Sequence, residues 1–133
     1  MSHPSSLIVT RQDLERLQEL ITLNATDAAE ALDTELARAE IVPAQSVAQD
    51  VVTMNSEVIY ADLNSGAKRR VRVVYPAEAD AQRGWISVLA PLGAALLGTR
   101  AGHEVEWRMG RSLRHARVLE VPYQPEANGD FDL

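Results

Sequence analysis

The sequence predicts an α+β protein: an N-terminal antiparallel helical hairpin, a short coiled coil, precedes a small antiparallel sheet packed on a short helix. Two changes of rhythm carry that reading. Apolar residues recur at helical spacing over the first forty positions, and from Val51 onward the period drops to two. A third observation marks the joints. Pro43 closes the helical stretch, and a Pro-Leu-Gly corner at Pro91–Gly93 opens a short apolar helix inside the strand region. The expected division is residues 1–46 for the hairpin and 47–133 for the sheet domain, with an acidic, partly ordered tail from about residue 123.

In the first helix Leu14, Leu17 and Ile21 share a face supported by Leu20, while Arg11, Glu15, Gln18 and Glu19 take the others. Thr10 suits its N-cap, with Asp13 an acid of the first turn. Ala29, Leu32, Leu36 and Ala39 repeat the pattern after a polar break, with Thr26 or Asp27 as cap and an end near Ile41 or Val42. Each arm is then roughly fourteen residues, about 20 Å long.

Strand candidates follow: "EVIYADL", a turn at Asn64–Gly66, then "AKRRVRVVY", with Val71, Val73 and Tyr75 on one face and Arg70 and Arg72 on the other. A polar loop from Pro76 to Gly84 leads into "WISVL" and the Pro-Leu-Gly corner, and Gly98 suits a helix stop. "HEVEWRM" and "LRHARVLEV" complete the sheet. The expected core is Val71, Val73, Ile86, Val88, Leu96, Leu97, Val105, Trp107 and Leu119, with Trp85 also filling it.

Composition narrows the class. A chain of 133 residues, 46% hydrophobic and 24% charged, is one globular domain's worth and too apolar for wholesale disorder. It has no apolar run near the ~20 residues of a membrane span and no signal peptide, so the expected location is cytoplasmic. With no cysteine, disulfides and thiol chemistry are out. The net charge of −6 is concentrated in the hairpin and tail, while the strand region is mildly basic. That balance disfavours duplex DNA and favours a protein partner.

No catalytic, metal or cofactor constellation stands out. His3, His103 and His115 lie at no metal-ligand spacing, the serines lack a nucleophile elbow, and "GTRAG" follows a helix rather than a strand. Lys68, Arg69, Arg70 and Arg72 form the densest basic run. It reads either as a solvated strand face or as a meeting point for acidic protein surface or phosphate.

The stretches "MNSEVIYADLNSG", "ISVLAPLGAALLGTRAGHEVEW" and "RHARVLEV" together resemble the C-terminal domain of the Gre-type transcript cleavage factors. Ser56, Val58, Asp62, Gly66, Pro91, Gly93, Ala95, Leu96, Gly98, Gly102 and Val105 fall on that family's pattern over about residues 51–121. Ala90 replaces the family's serine, His103 an aspartate, and Leu89 the acid before the Ser-Pro pair. The short hairpin, "DVVTMNS" and "YQPEA" are similar to the subfamily of regulators of nucleoside diphosphate kinase. The resemblance implies an FKBP-like curved sheet around a short helix. It also implies RNA polymerase as partner, bound near the secondary channel in competition with Gre-type factors, with docking at Leu89, Ala90, Pro91, Leu92 and Gly93. Gre-type factors carry a pair of acids at the hairpin tip that help to hold a catalytic magnesium. The tip here, Asn24, Ala25, Thr26 and Asp27, offers one, so the chain is expected to be non-catalytic. Two rival functions stand beside this: direct binding of nucleoside diphosphate kinase, and prolyl isomerisation on the FKBP analogy, which the few scattered aromatics disfavour.

Overall fold

A computed structural model describes residues 7–131. Strand β1 (Ile8–Thr10) runs directly into helix α1 (Arg11–Leu23), and α2 (Asp27–Ala37) returns antiparallel to it. The expected caps form: the Thr10 and Thr26 hydroxyls accept from the backbone N–H of Asp13 (3.0 Å) and Ala29 (3.1 Å). The second arm is shorter than its apolar spacing suggests. Arg38 ends it, and Glu40–Val42, strand β2, pairs parallel with β1 to clasp the base of the hairpin. Ala39 therefore lies outside the helix.

Five strands build the sheet: β3 (Glu57–Asp62), β4 (Lys68–Val74), β5 (Trp85–Ser87), β6 (Glu104–Met109) and β7 (Ser112–Tyr123), in the order β5-β4-β3-β7-β6. All neighbours are antiparallel except β5, which runs parallel to β4 and corrects the expectation of an all-antiparallel sheet. Two 3₁₀ turns, Pro76–Glu78 and Ala81–Arg83, carry the chain back along β4. Because β5 has three residues, that distance is short enough for a loop to replace the usual crossover helix.

Helix α3 (Pro91–Leu96) packs on the sheet, and one apolar cluster joins hairpin, sheet and helix. Leu17, Leu32 and Leu36 of the hairpin meet Val52, Met54, Val58, Val73, Val88, Leu96, Leu97 and Val118 in it. A second cluster seats Trp107 on Tyr60, ring centroids 6.4 Å apart and planes at 85°, over Ala116. Of the expected core, Val73, Val88, Leu96, Leu97 and Trp107 are buried, and Val71, Ile86 and Val105 pack against the clusters. Leu119 is the exception, 37% exposed. The pairing shifts from Ile59↔Glu120 to Tyr60↔Val118, so Leu119 is an extra bulge residue that flips the alternation of β7. Trp85 is also only half-buried, with the Arg72 and Arg83 guanidiniums 5.3 and 5.1 Å from its ring.

As far as residue 131 the tail makes hydrogen bonds to the rest of the chain. Gln124 is buried, and its Nε2 donates to the carbonyls of Ala48 (2.7 Å) and Val51 (2.8 Å). Thr53 Oγ1 donates to Glu126 (2.7 Å), and Gln12 Nε2 donates to the Phe131 carbonyl (2.6 Å). The tail thus straps α1 to the sheet.

Candidate functional site

The Pro-Leu-Gly corner is set by backbone contacts. Val88 N–H donates to the Val74 carbonyl at 2.9 Å, which anchors the end of β5. Ser87 then turns the chain: its hydroxyl accepts from Leu89 N–H at 3.0 Å and its carbonyl from Ala90 N–H at 3.0 Å. Pro91 enters the helix where no backbone N–H is needed. Gly93 sits so close to Ser87 that a Cβ there would lie 2.1 Å from the Ser87 carbonyl oxygen. The corner is thus fixed by its own backbone contacts.

The five expected docking residues are contiguous but unequally presented. Pro91 is exposed, and Leu89, Ala90 and Leu92 are half-buried, with both leucines packed against the core. Gly93 is buried against the Ser87 carbonyl. Ala90 stands at the N-cap without a side-chain hydrogen bond.

The hairpin tip is held by hydrogen bonds to the ends of its own two helices. Asn24 Nδ2 donates to the Leu20 carbonyl at 2.7 Å, and Thr26 is the cap of α2, so both side chains serve the helix ends. Ala25 and Asp27 are exposed, and Leu23 beside them is 77% exposed. Among the described residues no group of three or more His, Asp or Glu is placed to hold a metal ion.

Sequence reasoning missed a buried carboxyl where hairpin and sheet meet. Asp13, expected as an ordinary first-turn acid, lies under the junction of hairpin and sheet, and its Oδ2 accepts from Met54 N–H at 3.0 Å. Burial pushes its carboxyl up to about 6. The Met54 hydrogen bond opposes that shift, Glu126 adds to it, and Arg16 and the Thr10 hydrogen bond oppose it further. The Tyr75 phenol is pushed up too, mainly by burial and then by Asp13. The only signal in the sequence was the three-residue spacing from Thr10, which any capped helix shows.

The basic run of β4 is half absorbed by structure. Glu57 takes Arg70, and Arg72 at 2.8 Å, and these hydrogen bonds, Arg72's first, hold its carboxyl below the usual range. Arg72 also lies 5.1 Å from the Tyr123 ring. Lys68 and Arg69 are exposed beside them. His115 reaches Glu106 at 3.2 Å, His103 precedes β6, and His3 lies outside the described residues.

Comparison with known proteins fits this geometry. The family model for the C-terminal region of the transcription elongation factors GreA/GreB matches residues 47–123, and one for the Rnk N-terminus matches residues 6–42. A "Regulator of nucleoside diphosphate kinase" of Escherichia coli strain K12 is 42% identical over 135 residues, covering 98% of both chains. Transcription elongation factor GreA of Syntrophobacter fumaroxidans is 41% identical over 66 residues, 50% of this chain and 42% of that one. Among solved structures, a prokaryotic transcription elongation factor GreA/GreB from Nitrosomonas europaea superposes with a TM-score of 0.77 at 36% identity, covering 90% of this chain and all of that one. The chain belongs to the GreA/GreB transcription elongation factor family and, within it, to the subfamily of regulators of nucleoside diphosphate kinase.

Proposed function

We propose that this chain is a non-catalytic transcription regulator that docks on RNA polymerase near the secondary channel and competes there with Gre-type cleavage factors. The observation that carries the reading is a mismatch between its two parts. The sheet domain keeps the family's corner at Pro91, while the hairpin is short and poor in ligands. Its arms of 13 and 11 residues span only about 20 and 17 Å. Magnesium takes octahedral oxygen ligation, commonly from one or two carboxylates with waters and substrate phosphates. One exposed Asp27 on so short an arm supplies neither the reach nor the pair of ligands a cleavage factor brings. Docking without delivering ligands makes an inhibitor by exclusion.

The test is a stalled elongation complex. With this protein alone, no transcript cleavage is expected; with a Gre-type factor plus excess of this protein, cleavage falls. Cleavage in the first case, or undiminished cleavage in the second, refutes the proposal. The E. coli relative's name supports a second reading, direct binding of nucleoside diphosphate kinase, which a pull-down with the purified kinase and no polymerase isolates. The isomerase reading has little support, because Tyr60 and Trp107 pack on each other.

A further inference from the structure

Strand β6 forms one edge of the five-stranded sheet, and its backbone bonds to β7 through alternate residues. Gly110 and Arg111 are the two-residue loop between the paired Met109 and Ser112. In such a hairpin the closing residues exchange both backbone hydrogen bonds, so Met109, Trp107 and Val105 bond to β7. The same alternation continues at the other end, where Val118 N–H donates to the His103 carbonyl at 2.9 Å. The N–H and C=O groups of Glu104, Glu106 and Arg108 therefore point outward, away from the sheet, and all three residues are exposed.

Sheet edges are ordinarily blunted by charged side chains, a proline, a bulge, an inward-pointing charge, a cover or extreme shortness, and of these β6 carries only the charges of Glu104, Glu106 and Arg108, which are mixed in sign. β6 has six residues, no proline and an unbroken register with β7. Its inward positions are Val105, Trp107 and Met109, all apolar, and Met109 is 61% exposed. The opposite edge is different: β5 has three residues, and Asp80 bridges to Trp85 across it. An open trough of about 1200 Å³ runs beside β6, walled by Pro91, Ala94 and Ala95 of α3, and leaves the edge approachable.

We propose that β6 is a homotypic docking edge, through which two copies of this chain pair antiparallel with Trp107 on the two-fold axis. The charges of the strand select both the partner and the register. With Trp107 opposite Trp107, Glu106 lies across from the second copy's Arg108, and Arg108 from its Glu106. Val105 then covers the exposed Met109, and Glu104 meets Gly110. The outward backbone groups admit only registers that differ by two residues in the sum of paired positions. One such step keeps two opposite-charge pairs, Glu104 with Arg108, but sets Glu106 against Glu106 on the axis, and the other places Arg108 against Arg108. Opposite charges across a strand pair attract and like charges repel, so the Trp107-centred register, with two opposite-charge pairs and no like charges of Glu104, Glu106 or Arg108 facing each other, is the favoured one.

Sedimentation equilibrium over about 10 µM to 1 mM tests this with the full chain. The wild type is expected to pass reversibly from monomer to dimer. Glu106→Pro removes an outward N–H and none of the β6–β7 bonds, and Arg108→Glu sets like charges face to face. Each should raise the dimer dissociation constant by about tenfold or more. The double variant Glu106→Arg with Arg108→Glu reverses both partners and should return to within about threefold of wild type. Urea unfolding midpoints establish that each variant is folded. A wild type that is still monomeric at the top concentration overturns the proposal. So does a dimer indifferent to Glu106→Pro, or a double variant that fails to recover.

Discussion

Helix α3 meets the sheet through Leu96, Leu97 and a glycine pressed against the Ser87 carbonyl, whereas the α1–α2 hairpin adds a buried carboxylate and a polar strap to its leucines. Both helical parts share one apolar cluster, so apolar burial does not distinguish them. The difference lies in what surrounds it. At α3 the shape is fixed by close backbone approach, which is sensitive to volume and indifferent to protons. At the hairpin, Asp13, Met54 N–H, Thr53 and Glu126 fix the join, and that contact answers to charge. A rigid corner suits a docking surface, because little conformational freedom is lost when it binds.

The largest expected effect lies at the rigid corner. Gly93→Ala places a Cβ 2.1 Å from a backbone oxygen, which no side-chain rotation relieves. The variant should lose about 3 kcal/mol of stability or more, read from its urea midpoint. An unchanged midpoint means that α3 can slide along β5, and the contrast with the hairpin disappears.

The next effect belongs to the hairpin join and depends on pH. Asp13 titrates near 6 in the folded protein against an ordinary 3.8, so between those values the native state binds more protons than the unfolded chain. Stability from this residue is therefore highest below about pH 4 and falls as pH rises to about 6, by roughly 2–3 kcal/mol in all. Asp13→Asn keeps an oxygen that can accept from Met54 N–H and carries no charge, so its own curve lacks that fall. The measurement is the wild-type midpoint minus the variant midpoint from pH 4 to 8. Glu57 runs the other way, because its lowered carboxyl contributes stability that is lost in acid, and subtracting the variant cancels it. A flat difference curve means Asp13 is not the charged joint.

These two regions were unequally legible in the sequence. The hairpin's helices could be read because Thr10 and Thr26 announce their starts and the leucines repeat at helical spacing. Its clasp could not: strands of three residues, Ile8–Thr10 and Glu40–Val42, are too short to show a period, and their pairing spans the whole hairpin. The burial of Asp13 and Gln124 likewise depends on partners 41 and 73 or more residues away, and local pattern carries nothing about them. In the sheet, alternation located β3, β4, β6 and β7 and failed at Leu119, where the bulge adds a residue. Five contiguous residues were expected at the docking corner, yet Gly93 proved buried and only Pro91 fully presented, a distinction that needs the distance to Ser87.

The smallest effect on folding, and the sharpest on binding, should come from Pro91→Ala. Pro91 is exposed at the first position of α3, where its ring fixes a helical φ and its missing N–H leaves no bond unmade. Alanine is a good helix former, so stability should change by no more than about 0.5 kcal/mol. The proline ring is nevertheless the most exposed apolar surface of the corner and is held by Ser87 and Gly93 in a fixed orientation. If the corner docks, losing that ring should weaken binding to core RNA polymerase by about fivefold, near 1 kcal/mol. Co-purification and competition against a Gre-type factor measure it. Full binding by a stably folded Pro91→Ala protein moves the interface elsewhere, and the exposed Lys68 and Arg69 on β4 become the next surface to remove. That outcome would leave the rigid corner with a purely architectural duty, and the polar join of the hairpin as the part of the molecule able to respond to its surroundings.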